Sequence, residues 1–133
     1  MAIVWKVSHP ERLIIAYGKE GVTATDILYS ADTFARTGIN TYRKLFDLTR
    51  LTGTMSQADL RLVGERMKVR ATGQPFGPIA VVVSTDGVAG AARIFQAAAE
   101  AERPVQIFRD FASARAWLDE TAPPDQIPEV LQK

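Results

Sequence analysis

The chain has 133 residues, 47% of them apolar, the size and composition of one domain with its own core. Its 16 basic and 15 acidic residues leave a net charge of +1, without a basic block able to neutralise a run of phosphates, so nucleic acid is not an expected partner. Cysteine is absent, which excludes thiolate chemistry, cysteine-ligated metal and disulfides and agrees with a reducing, cytoplasmic compartment.

The first segment alternates, with Ile3, Trp5 and Val7 separated by more polar residues. After Ser8-His9-Pro10-Glu11 comes a second apolar run, Leu13 to Tyr17, and the pair is read as an antiparallel hairpin. Thr23 with Asp26 three residues later has the form of a capping box. It opens a helix whose Ile27, Leu28, Ala31, Phe34 and Ala35 share a face and which Gly38 ends. Tyr42 to Leu48 follows as a strand, with Asp47 near its C-terminal end.

Ser56 with Asp59 repeats the capping pattern, and Leu60, Val63, Met67 and Ala71 form the apolar stripe of a second helix, stopped by Gly73-Gln74-Pro75. The run Ile79 to Val83 is unbroken by polar residues, as expected of a strand covered on both faces. The turn Ser84-Thr85-Asp86-Gly87 then leads into a third helix with Val88, Ala91, Ala92, Phe95 and Ala99 on one side. Pro104 introduces a last strand, Val105 to Phe108. Asp110 caps a final helix whose Phe111, Ala114, Trp117 and Leu118 are spaced for the core.

The expected architecture is therefore α/β, in the order β-β-α-β-α-β-α-β-α. The sheet is mixed and mainly parallel, with the N-terminal hairpin as its antiparallel edge. Residues 1–120 form the domain, and 121–133, with Pro123, Pro124 and Pro128, form an extended tail. No apolar run approaches the roughly 18 residues of a membrane span, and the N-terminus does not read as a signal peptide.

The element order, the strand Tyr42-Arg43-Lys44-Leu45-Phe46-Asp47 and the closing segment Phe108 to Leu118 resemble the SpoIIAA-like branch of the STAS superfamily. The resemblance implies a non-enzymatic regulatory or binding domain that acts through a protein partner. In that family the switch is phosphorylation of a serine at a helix N-terminus, where free amides and the helix dipole stabilise a phosphate. The matching segment here is Asp47 to Ser56, which lacks the family's pattern of an aspartate followed by serines and glycine and offers Thr54 and Ser56 as hydroxyls.

Dinucleotide, phosphate-loop, nucleophile-elbow and paired-histidine metal motifs are all missing, so no catalytic residue, metal or cofactor is assigned. The single histidine, His9, sits in the hairpin turn and is read as a turn residue. The candidate binding or phosphoacceptor residues are Ser56, Thr54, Asp47, Ser84 and Asp86, expected together at the C-terminal ends of the strands, where open α/β sheets hold ligands. The plainer reading of the two aspartates is that Asp47 bonds its own loop and Asp86 caps a helix. A second functional reading is a carrier of a small apolar ligand or lipid, lined by Trp5, Tyr17, Tyr29 and Phe34. Self-association through the hairpin edge or the tail is a further option.

Overall fold

The computed structural model describes residues 3–19, 21–39, 41–51, 56–71, 77–99 and 103–121. Among these residues five strands and four helices follow in the expected order: β1 (Ile3–Ser8), β2 (Leu13–Gly18), α1 (Ala24–Arg36), β3 (Arg43–Asp47), α2 (Gln57–Ala71), β4 (Ile79–Val82), α3 (Asp86–Ala99), β5 (Val105–Phe108) and α4 (Phe111–Glu120). The strands lie side by side in chain order, β1-β2-β3-β4-β5. The first pair is antiparallel and the other three pairs are parallel.

Because every crossover from β2 to β5 moves in the same direction across the sheet, right-handed connections place α1, α2 and α3 on one face. These helices touch one another in sequence, α1 to α2 and α2 to α3. The chain then folds back beyond β5, so α4 packs on β3, β4 and β5 from the other side.

Side-chain alternation divides the core accordingly. Ile3, Ile14, Ala16, Phe46, Ile79, Val81 and Val105 face the three-helix side, where they meet Phe34 of α1 and Val88, Ala89 and Ala92 of α3. Leu13, Leu45, Ala80 and Val82 face α4 through Ala114 and Leu118, with Phe108 and Trp117 at the margin. β4 is buried on both faces, as its unbroken apolar run predicts.

Local signals set the helix ends. Thr23 accepts from the Asp26 amide at 3.2 Å while the Asp26 carboxylate accepts from the Thr23 amide at 3.0 Å, so the capping box is complete. At the other end Gly38, with φ of 77°, donates to Ala35 and Ile39 donates to Phe34, which is a Schellman closure. Gly77 is fixed by close approach, since a Cβ there would stand 2.1 Å from the Tyr42 carbonyl oxygen.

Several sequence expectations shift. In α1 the buried positions are Ser30 and Phe34, with Ile27 packed beside them; the Ser30 hydroxyl donates to the Ile27 carbonyl at 2.7 Å, which satisfies it inside the core. Tyr29 falls off that stripe and is 49% exposed. In α3 Ala89 takes the buried place expected of Ala91. Phe111 is 38% exposed, because it occupies the first residue of α4 at the rim of the sheet. The strand expected at Tyr42–Leu48 is trimmed to Arg43–Asp47. The Gly73-Gln74-Pro75 stop, the side chains of Leu60, Met67 and Ala71, and the tail from 122 onward lie outside the described residues.

Candidate functional site

The C-terminal ends of β3, β4 and β5 open onto three loops, and short hydrogen bonds tie the described residues of each. Both the amide and the hydroxyl of Thr49 donate to one Asp47 carboxylate oxygen, at 3.0 and 2.7 Å. This is an Asx turn, so Asp47 holds its own loop. Ser56 accepts from the Asp59 amide at 3.1 Å and caps α2. Thr54 lies outside the described residues.

In the β4–α3 turn the cap is Thr85, whose hydroxyl accepts from the Val88 amide at 3.2 Å. Asp86 is therefore not the cap. As the first residue of α3 it points outward, its side chain 98% exposed, and accepts from the Arg109 guanidinium at 2.7 Å. That hydrogen bond and the Arg109 charge, with Arg93 adding to them, hold the Asp86 carboxyl below the usual carboxylate range. Asp110 is also lowered, by the amide and hydroxyl of Ser113, which it accepts at 2.7 and 2.9 Å as the cap of α4.

Two contacts cross between loops. The Ser84 hydroxyl donates to the Thr49 carbonyl at 2.8 Å, joining the turn after β4 to the loop after β3. The Asp86–Arg109 pair joins the start of α3 to the loop after β5. Asp47, Ser84 and Asp86 are thus brought to one laced surface. The expected convergence of the Asp47 and Asp86 carboxylates takes the form of two separate attachments, one to Thr49 and one to Arg109. Arg109 is the member of this surface that sequence reading did not assign; its only signal was its place directly after the last strand.

The aromatic residues expected to line an apolar pocket do not share one side of the sheet. Trp5 and Phe34 pack edge to face, 5.2 Å between ring centroids, in the three-helix core. Tyr17 pairs with Val4 and Asp47 on the opposite face, and Tyr29 turns outward.

The opposite end of the sheet carries a second polar cluster that the sequence left unread. Arg43, buried at the start of the central strand, donates to the Leu118 carbonyl at 2.9 Å and to the Glu11 carbonyl at 2.6 Å, and also lies 3.4 Å from Asp119. A guanidinium with fixed, forked donors thereby satisfies a carbonyl at the C-terminus of α4 and one in the hairpin turn together. Arg115 of α4 pairs with Glu11 and also with Asp119. His9 is more than a turn residue, since its Nδ1 is hydrogen-bonded to the Tyr42 hydroxyl at 2.8 Å.

Lys44, the next residue of β3, is buried on the three-helix face and donates to the Tyr42 carbonyl at 2.9 Å. Burial, reinforced by the nearby charge of Arg103, brings its amine down from 10.5 to about 7. Arg103 is itself buried ahead of β5. The signal in the sequence was the pair Arg43-Lys44 at the head of a strand flanked by apolar strands.

Comparison with family models, with curated proteins and with solved structures finds no match. Among the described residues no helix is long and apolar enough to cross a membrane, and no group of three or more potential metal-ligating side chains is present.

Proposed function

We propose that the chain is a STAS-like regulatory or binding domain, without catalytic activity of its own, that engages a protein partner through the C-terminal end of its sheet. The observation that carries this reading is the lacing of three loops into one exposed polar surface by the Ser84–Thr49 and Asp86–Arg109 contacts. Loops tied to each other as well as to their own strands present a fixed pattern of charge, which is what selective recognition requires.

The carboxylates support display over proton transfer. Asp86 and Asp110 are held ionised by their neighbours, which makes them poor proton donors near neutrality, and one oxygen of Asp47 already accepts twice from Thr49. Ser56 stands at the N-terminus of α2 with its hydroxyl exposed, the position at which the STAS resemblance puts a phosphoryl switch. A phosphate there would gain from the helix dipole and would set new negative charge beside Asp59 and across the partner surface.

The test is affinity capture from native lysate with wild type, Ser56→Asp and Arg109→Glu, alongside intact-mass analysis of the protein isolated from its own cells. A specific partner retained by wild type and lost by Arg109→Glu is the expected result. An identical, empty interactome for all three, with no phosphorylated species, would overturn the proposal.

A further inference from the structure

β3 begins with two basic residues that turn to opposite faces of the sheet. Arg43 reaches the carbonyls of Leu118 and Glu11 on the α4 side, whereas Lys44 lies on the three-helix side, between Ile14 of β2 and Ile79 of β4. Both isoleucines are wholly buried, and Lys44 is 6% exposed. Its amine doubles back to the Tyr42 carbonyl, 2.9 Å away and ahead of the strand, which sets it at the end of this core.

A second cation is buried in the same region. Arg103 is 3% exposed and stands two positions before Val105, a residue of the three-helix core. Burial first, and the Arg103 charge after it, disfavour the ammonium form of Lys44. Near pH 7 about half of the amine is therefore unprotonated, roughly a thousandfold more than for an ordinary lysine. Desolvation beside another cation is the environment that makes a lysine nucleophilic at neutral pH. Other titratable groups of this pole are engaged elsewhere: the Tyr42 hydroxyl with His9, and Glu11, Arg115 and Asp119 around Arg43 on the opposite face.

An electrophile for such an amine has to be small and uncharged, and its product has to suit the site better than an ammonium does. Carbon dioxide meets these conditions. The Nζ lone pair forms the N–C bond, one C=O π pair moves onto oxygen, and the nitrogen gives one proton to solvent, which leaves a carbamate in place of the amine. No oxidant, reductant or leaving group is needed. The carbamate nitrogen keeps a hydrogen for the Tyr42 carbonyl, and the new negative charge turns repulsion by Arg103 into a charge-assisted attraction. Acyl donors that carry a leaving group bring bulk that a side chain only 6% exposed does not admit.

We propose that Lys44 is a site of reversible carbamate formation with carbon dioxide, and that Arg103 holds the product. The modification ties the head of β3 to the segment before β5 and makes this pole of the sheet responsive to dissolved carbon dioxide, independently of the function proposed for the opposite pole.

Trapping with triethyloxonium, which converts a carbamate into a stable ethyl carbamate, followed by peptide mass spectrometry of the full-length protein, tests this directly. Near neutral pH and under carbon dioxide, the product on Lys44 should exceed that on the exposed Lys6 and Lys19 by about tenfold or more. It should vanish in carbon-dioxide-free buffer, and unfolding in guanidinium chloride before trapping should bring Lys44 down to the level of the other two. Arg103→Gln, shown by circular dichroism to be folded, should lower the Lys44 product severalfold, because it both favours the ammonium and removes the counter-charge; Arg103→Lys should retain most of it. Labelling of Lys44 no greater than that of Lys6 and Lys19, labelling unchanged by unfolding, a product that persists without carbon dioxide, or a folded Arg103→Gln variant equal to wild type would each overturn the proposal.

Discussion

The two ends of the sheet are built from similar residues put to different use. At the C-terminal end most polar bonds are local: Asp47 to Thr49, Ser56 to Asp59, Thr85 to Val88 and Asp110 to Ser113 each span two or three residues. At the N-terminal end the bonds join distant parts of the chain, Tyr42 to His9, Arg43 to Glu11 and Leu118, and Arg115 to Glu11. The first end is an exposed rim whose groups face water, and the second buries cations that bind the hairpin, the central strand and α4 into one unit. An exposed polar rim and a structural clamp thus occupy opposite poles of the same strands.

The contrast predicts where substitutions hurt. Arg43→Met should be the most damaging, because it leaves the Leu118 and Glu11 carbonyls without their buried donor and leaves Asp119 to Arg115. A loss of about 3 kcal/mol is expected in urea unfolding, a large share of the stability of a domain this size. A loss no greater than that of a rim variant would break the contrast between the two ends.

Lys44→Met sharpens the same point through pH. The Lys44 amine falls from 10.5 to about 7 on folding, so between these values the unfolded chain binds more protons than the folded one, and wild-type stability gains as pH rises from 7 towards 10.5. Below pH 7 the full cost of charging the buried amine is present. The difference in unfolding free energy between wild type and Lys44→Met should therefore move in favour of wild type across this window, by at most about 1.4 kcal/mol per pH unit. Equal pH profiles for the two proteins would show that Lys44 keeps an ordinary amine when folded.

Local bonds should matter less. Thr23→Ala removes one side of the α1 capping box and should cost about 1 kcal/mol in the same unfolding assay. Arg109→Ala should leave stability within error, since its partner carboxylate faces solvent and exposed pairs contribute little. Its effect belongs in titration: the Asp86 carboxyl, followed by NMR, should move up towards the ordinary range once Arg109 is gone.

Legibility followed the range of the interaction. The caps at Thr23, Ser56 and Asp110, the stop at Gly38 and the apolar run of β4 are all legible from neighbours in the chain. Asp86 is harder, because Thr85 and Asp86 are both capable of capping α3; the cap falls to Thr85, and Asp86 accepts instead from Arg109 beyond β5. Tyr17 and Trp5 are alike in residue type, yet strand alternation in the observed register sets them on opposite faces. Phe111 has the spacing of a core residue and the position of a rim residue.

By itself the sequence determined the class of the molecule and the order of its elements, because the periodicity of apolar residues and the chemistry of helix caps act over a few positions. Tertiary structure alone decided that the strands follow one another across the sheet, that α4 packs on the face opposite α1, α2 and α3, and that Arg43, Lys44 and Arg103 are buried at one end. A charged side chain is stable in such a place only when partners from remote parts of the chain arrive with it. For Arg43 these are the carbonyls of Glu11 and Leu118, one 32 and the other 75 residues away.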